Sequence, residues 1–353
     1  MDPARWAGSV AVYYRPPRRA ELADCALVWY SAVDDYMGRL GRPLPSPYLD
    51  PLMALFDHLL TTDPERFLVA VRQPTPGSSH TREQVVGFGI AAQRENVWFL
   101  SQLYVLPSEQ RHGIGHALLS QILPSLPGLL PSGSGSGAGE AAAAAATTTD
   151  LAPQKTPGPT PKLPLGVLAT CTDSAQPASS GLYARYGIVP RMPVFNLVGT
   201  PKTPSVLPPL PSGIEAVTFG RTDPSAAIDA IDREVLGFAH PLDHRHLRAS
   251  GRTGFLYRAS DGEPLGYGYS SEAGRFGPVA LLDDSLTAPV LGHLIAAIKP
   301  RGATSAWVPG ANDRAMVALL RAGLRIEGFP ALLGWTRPFG AFDRYLPASL
   351  ALL

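Results

Sequence analysis

Apolar residues recur along this chain in two rhythms, one helical and one extended, and the order of the rhythms repeats. Residues 10–14 form an apolar, strand-like run, and after Arg15-Pro16-Pro17 the residues Leu22, Ala26, Trp29, Tyr30 and Val33 return at helical spacing. A second helix is predicted over 49–60, where Leu52, Leu55, Phe56 and Leu59 share one face. Residues 67–71 read as a buried strand. Two longer strands follow at 85–91 and 97–105, with Gly87 and Gly89 weakening the first. A helix is predicted at 113–123. Beyond it come a short strand at 167–171, a helix around 179–186 and a last strand pair around 189–198.

From residue 213 the order repeats. Strands are predicted at 213–219, 255–257, 265–269 and 276–282, and helices at 226–235 and 288–298. A strand at 303–308, a helix at 313–322 and a strand at 331–336 close the series. The echo reaches single residues: Val86-Gly87-Phe88-Gly89 matches Leu265-Gly266-Tyr267-Gly268, and Leu182…Gly187-Ile188 matches Ala318…Gly323-Leu324. Two copies of one mixed α/β unit explain this better than two unrelated domains.

Breaker-rich stretches separate the periodic ones. Residues 124–165 hold eight prolines, a Gly-Ser run at 132–137, an Ala run at 141–146 and no aromatic residue. That composition is a linker with no face to bury, so a disordered insertion is expected there. Residues 200–212 hold five prolines and read as a second linker. The expected organisation is a first domain at 8–199 carrying the insertion, a Pro-rich linker at 200–212, and a second domain at 213–345.

Composition then narrows the setting. Of 353 residues, 30 are basic and 29 acidic, so the chain lacks the basic footprint of a nucleic-acid binder. Cys25 and Cys171 make neither a metal spacing nor a disulfide framework. The first residues lack an apolar core of signal-peptide length, and no apolar run approaches the ~18–20 residues that span a bilayer. A soluble, cytoplasmic protein with no membrane or nucleic-acid partner is expected.

The most informative stretch runs from Leu103 to Ala117. An apolar strand stops at Pro107, a turn follows, and Gly113 and Gly115 stand at the entrance of a helix with Ile114, Leu118, Leu119 and Ile122 on its apolar face. Glycines there admit a phosphate to the backbone, where free N–H groups and the positive helix end hold it. Arg111 adds a fixed charge. The third glycine of a dinucleotide fingerprint is missing, since Leu118 stands in its place, and no Gly-Lys-Ser/Thr follows for a Walker loop.

Gln110-Arg111-His112-Gly113-Ile114-Gly115-His116-Ala117 resembles the acyl-CoA pyrophosphate loop of the GCN5-related N-acetyltransferases, the GNAT superfamily. Leu103-Tyr104-Val105-x-Pro107 is similar to that family's fourth strand. The resemblance implies that this strand's backbone meets the pantetheine and the acetyl carbonyl. It places Leu103, Tyr104, Val105, Arg111, His112, Gly113, Ile114, Gly115 and His116 at the cofactor. Further on, Leu182-Tyr183-Ala184-Arg185-Tyr186-Gly187-Ile188 resembles the family's Leu-Tyr-x-x-x-Gly-Phe, with Ile188 for the Phe. Gln176 stands where the family has an Asn seven residues before the Tyr, and is carried over as a cofactor contact. The motifs cover the first ~200 residues.

The implied reaction is transfer of an acetyl group from acetyl-CoA directly to a primary amine, with Tyr183 as general acid near the sulfur. A phenol with a pKa of ~10 keeps its proton at neutral pH and can donate it. Tyr186, where an apolar residue is usual, reads as core. The general base stays open: the fourth strand offers Ser101, Gln102 and Tyr104, while Glu95 reads as a solvated turn residue and Glu109 as a surface charge. Cys171 near the fifth strand's end reads as a small buried residue, because direct transfer needs no acyl-enzyme.

The second copy lacks both chemical positions. Its loop reads Gly277-Pro278-Val279-Ala280-Leu281-Leu282-Asp283-Asp284, with no Gly-x-Gly and two acidic residues that would repel a pyrophosphate. Asn312 is kept, but Leu319 stands where the Tyr belongs. This half resembles the degenerate domain that follows an active one in tandem bacterial GNAT proteins, structural or forming one wall of the acceptor pocket. His240, Asp243, His244 and His246 read as a His-rich helix–loop surface, so no metal is expected, and Arg245 and Arg248 could face an acidic acceptor. A small-molecule amine is favoured over protein lysine as acceptor, and a homodimer is compatible. A non-catalytic acyl-CoA-binding regulator and an acyltransferase using a longer acyl-CoA are the other readings.

Overall fold

The computed structural model describes residues 12–74, 82–124, 166–202, 205–220 and 224–353. From residue 125 to 165 the expected insertion lies outside the described residues. In chain order the first half forms β1 (Val12–Arg15), α1 (Leu22–Arg39), α2 (Asp50–Thr62), β2 (Phe67–Arg72), β3 (Gln84–Arg94), β4 (Val97–Val105) and α3 (Ile114–Ile122). It continues with β5 (Val167–Asp173), α4 (Pro177–Ala184) and β6 (Val189–Gly199). The expected strand pair at 189–198 is therefore one long strand. The second half forms β7 (Ile214–Thr218), α5 (Ser225–Leu236), α6 (Pro241–Ala249), β8 (Arg252–Ala259), β9 (Pro264–Ser271) and β10 (Val279–Leu281). After these come α7 (Thr287–Ala297), β11 (Thr304–Pro309), α8 (Asp313–Ala322), β12 (Arg325–Ile326), β13 (Ala331–Trp335) and β14 (Tyr345–Leu346). Among the described residues, no helix is long and apolar enough to cross a membrane.

The architecture is mixed α/β, with two mostly antiparallel sheets flanked by helices. One sheet of nine strands runs β1-β2-β3-β4-β5-β13-β6-β11, with β12 also on β6. The other, of five, runs β14-β10-β9-β8-β7. The glycine echo has a packing reason. A Cβ on Gly89 would stand 3.2 Å from the Ile122 side chain on α3, and one on Gly268 would stand 2.9 Å from Leu294 on α7. Each half needs a bare backbone where its central helix crosses its sheet.

The last strands of the two halves are exchanged. β13, from the second half, lies antiparallel between β5 and β6, pairing Leu333 with Cys171 on one side and with Met192 on the other. β6, from the first half, takes β11 of the second along its whole length, from Thr304 opposite Gly199 to Pro309 opposite Val194. The largest apolar cluster spans the same boundary, joining Val97, Phe99 and Met192 to Ile228, Tyr267 and Tyr345. Between the halves the described residues of 200–212 form neither helix nor strand, yet Leu207 is buried against Gly292 of α7.

A buried ionic seam crosses the boundary beside that cluster. Arg94 on β3 grips Asp243 on α6 through Nε–Oδ2 and Nη2–Oδ1, both 2.7 Å, and its Nη1 donates to Asp63 Oδ2 at 2.8 Å. His58 Nε2 reaches Asp243 Oδ1 at 2.7 Å. Burial alone would push the Asp243 carboxyl up, but Arg94 and His58 hold it well below the usual carboxylate range. Removing one partner leaves a buried charge alone, so Arg94→Met should cost about 3–5 kcal/mol of stability in urea unfolding at neutral pH. The Asp243 contribution is full above its unfolded pKa of ~3.9 and is lost as pH falls toward the depressed native value. Wild-type stability should accordingly fall more steeply than that of Arg94→Met below about pH 4; equal slopes would remove Asp243 as the source.

Candidate active site

One register shift opens the site. On β4, Leu100 lies opposite Ala91 and Gln102 opposite Ile90, so Ser101 is an extra residue in the strand. Such a bulge bends and twists its strand. Upstream of it β4 pairs in parallel with β5, from Val97 opposite Val167 to Leu100 opposite Thr170, and the pairing stops there. Beyond the bulge β4 continues to Val105 and β5 to Asp173 without facing each other as partners. The edge of β4 beyond Leu100 pairs with no strand among the described residues, while β5 is held on its far side by β13 down to Asp173.

At the open end of β4 the chain makes one 3₁₀ turn, Pro107–Glu109, and enters α3 through Gly113. Arg111 and Gly113 both adopt left-handed backbone conformations, with φ of 67° and 81°. For a non-glycine residue this conformation is uncommon, and it belongs with loops shaped to a purpose. The first turn of α3 has N–H groups with no acceptor inside the helix. The loop is braced from behind: Gln110 Nε2 donates to the Val105 carbonyl at 3.0 Å, and Glu109 pairs with Arg72. Glu109 is thus a brace rather than the free surface charge expected. Arg111, His112, Gly113 and His116 are exposed, whereas Ile114 is buried and can offer only its backbone.

The second motif stands across the opening. α4 starts at Pro177, where a missing N–H costs nothing, directly after Gln176, whose side chain makes no cap. Tyr183 is buried on α4 among Trp98, Leu119 and Ile188. Burial pushes its phenol well above the ordinary value, the neighbouring Tyr104 adds to this, and Ser179 opposes it. Tyr186, expected in the core, is half-buried, and its hydroxyl meets His116 Nε2 at 3.0 Å, which ties the end of α4 to α3.

Residues 30–128 match the model of the acetyltransferase (GNAT) family. The chain carries a GNAT domain. A search of curated proteins finds no match. Among solved structures, a Pyrococcus horikoshii protein classed with the acetyltransferases is similar over all of this chain and 99% of its own, with a TM-score of 0.65 and 13% identity. A GCN5-related N-acetyltransferase of Sphaerobacter thermophilus is similar over 93% of this chain and 96% of its own, at TM-score 0.54 and 15% identity. One from Anabaena variabilis is similar over 92% and 72%, at 0.51 and 11%. At these identities the likeness is one of fold, and the GNAT fold supports acyl transfer.

A carboxylate stands at the end of β5. Asp173, its last residue, accepts from the Tyr36 hydroxyl of α1 at 3.0 Å and from the Ala175 N–H at 2.8 Å. Burial first, and the Asp173 charge next, push the Tyr36 phenol above its usual range. Tyr104 faces the same side, ring edge toward Trp29 with centroids 6.3 Å apart, and burial pushes it up to about 12. Gln102, buried just past the bulge, has a carbonyl oxygen without a partner. Glu95 is at the opposite end of β4, where Arg233 holds it through Nη2 at 2.8 Å and Nε at 3.0 Å. Cys171 is half-buried against the second half, and burial raises its thiol, which leaves no thiolate for an acyl-enzyme.

Gly113 has open space beside it, since a Cβ there meets nothing within 4 Å. An aspartate would fit sterically but would strain the left-handed backbone by about 1–2 kcal/mol and set a negative charge at the loop. Gly113→Asp should therefore weaken coenzyme A binding by at least ~100-fold in calorimetry, since a phosphate site at a helix N-terminus depends on its positive field. Unchanged affinity would remove this loop as the phosphate cradle.

Proposed function

We propose that this protein is an acetyl-CoA-dependent N-acetyltransferase that transfers the acetyl group directly to a primary amine of a small molecule. The observation that carries this reading is the free edge of β4 beyond Leu100, ending at a loop with left-handed Arg111 and Gly113. An amide-rich pantetheine can pair with such an edge as a strand would, and its pyrophosphate then reaches Gly113, Gly115 and the N-terminus of α3.

The chemistry asks for three things at the opening. The amine must be neutral to attack, and Asp173 with Tyr36 is the group we assign to take its proton, directly or through a water. The carbonyl oxygen gains charge as the tetrahedral intermediate forms, and backbone N–H groups of β4 past the bulge are the donors suited to it. The departing thiolate needs a hydrogen-bond donor, for which Tyr183 is suited because its phenol keeps its proton across the working pH range. Holding amine and thioester in line supplies much of the acceleration, worth ~7–11 kcal/mol in favourable cases.

We assign the second half no cofactor site. The edge of β10 equivalent to the free edge of β4 is taken by β14, with Val279 opposite Leu346 and Ala280 opposite Tyr345. In the loop that follows, the Asp283 carboxylate accepts from its own Ser285 N–H, and Asp284 pairs with Arg314. Leu319, at the place of Tyr183, is fully buried.

Thiol release from acetyl-CoA with a panel of small amines tests the reaction. Turnover with at least one amine is expected; binding of coenzyme A without turnover across the panel would instead favour a non-catalytic acyl-CoA binder. Tyr183→Phe and Asp173→Asn should each lower kcat by ~10²-fold or more while leaving coenzyme A affinity near normal, as loss of a positioned acid or base does. An undiminished kcat in either variant would withdraw that residue's role.

A further inference from the structure

Helices α5 and α6 bury a set of side chains that neither the acyl-transfer site nor the ionic seam absorbs. Asp232 on α5, His240 at the N-cap of α6 and His244 one turn later are 0%, 1% and 2% exposed. One ligand atom from each lies within 4.8 Å of the others. Asp232 Oδ2 is 2.9 Å from His244 Nε2 and 3.2 Å from His240 Nε2. Neither ring nitrogen of His240 makes a directed hydrogen bond, and its Nε2 has only the ionic contact to Asp232. A buried imidazole left in that state forfeits about 1–3 kcal/mol, so the arrangement calls for something it binds.

The outer contacts sort the lone pairs inward. Tyr267 donates its hydroxyl to Asp232 Oδ1 at 2.6 Å, leaving Oδ2 for the centre. His244 Nδ1 meets the Tyr269 hydroxyl at 2.9 Å, leaving Nε2. His240 Nδ1 is turned toward Asp243 Oδ2, 3.8 Å away. Metal-binding histidines are held as His244 is here, with the far nitrogen directed to a carboxylate or other acceptor. Around a tetrahedral ion with bonds of ~2.0–2.1 Å, neighbouring ligand atoms stand about 3.3 Å apart. The His240 spacing to Asp232 Oδ2 is close to that value, and the shorter His244 spacing is a hydrogen bond that an ion would replace.

We propose that Asp232, His240 and His244 form a site for a zinc-class divalent ion that fastens α5 to α6 and, through Tyr267 and Tyr269, to β9. Two imidazoles and one carboxylate select such an ion over magnesium or calcium, which take oxygen ligands. The fourth position is left for water. His244 also lines a cavity of about 350 Å³ with Ile228, Asp229, Pro241, Arg245 and Arg248. The sequence cluster pointed to a His-rich surface. The structure instead buries His240, Asp243 and His244, leaves His246 stacked on His58, and supplies Asp232 from the preceding helix.

The test uses the untagged full chain, stripped with a chelator and then titrated with Zn²⁺ and, separately, Co²⁺. One tight equivalent of Zn²⁺ and a raised melting temperature are expected. Co²⁺ should give visible ligand-field bands without a sulfur charge-transfer band. His240→Ala and Asp232→Asn should abolish the tight equivalent, and His246→Ala should keep it. Tyr269→Phe, which retains all three ligands, should weaken binding by ~10–100-fold, and it serves should the ligand variants fail to fold. No tight equivalent on the wild-type chain, or one kept by folded His240→Ala, would overturn the site and leave a protonated His240 paired with Asp232 in its place.

Discussion

A strand that parts from one neighbour needs its other neighbour to hold it extended, and β5 meets that need at the candidate active site. β4 and β5 part after Leu100 and Thr170, and the backbone groups they turn toward the gap lie outside the ladder. β13 pairs with β5 from Ala169 to Asp173 on its other side and so carries the strand past the split. The opening beside Tyr183 and Asp173 is thus propped by a strand from the second half. The half that supplies β13 thereby holds apart an opening in the other half.

The same view explains where the two halves agree and where they differ. Its close-packing glycines Gly266 and Gly268 remain, because side chains there would meet the Ala280 carbonyl at 2.6 Å and Leu294 at 2.9 Å. Those are demands of the fold. Nothing in the fold demands a free edge, and β14 occupies the one that β10 would have offered. Asp283 likewise turns its carboxylate on the loop's own N–H groups. The two halves differ where a ligand would sit and agree where a helix meets a sheet.

Periodicity made nearly every element legible, as α8 at Asp313–Ala322 illustrates, because amphipathic spacing reports which face is buried. It does not report against what. The pattern at 331–336 reads as a strand, but its place between β5 and β6 depends on pairings nearly 140 residues and more apart. The loop proposed for the phosphate stands out in the sequence because its residues are contiguous, from Val105 to Ala117. Asp173 does not, since its partner Tyr36 lies 137 residues away and a lone Asp at a strand end has no pattern. The polar run at 240–246 misled for a related reason. Its charges looked solvated because Arg94 and Asp232, which accompany them in the interior, are far off or outside the cluster in sequence.

The boundary between the halves has to fix an angle as well as supply adhesion. An apolar contact such as that of Phe99 with the second half fixes no single orientation by itself, because the hydrophobic effect is non-directional. The two parallel hydrogen bonds from Arg94 to Asp243 are directional, since a guanidinium and a carboxylate match in one relative orientation. That pair is anchored on β3, next to the hairpin that carries β4, and on α6 of the second half. It ties the half that supplies β13 to the half that supplies β4 and β5. A buried ionic pair is a poor source of net stability compared with packed hydrocarbon, but it is a good gauge of position. Its place here is where a shift of the second half would move β13, and with it the width of the opening between β4 and β5.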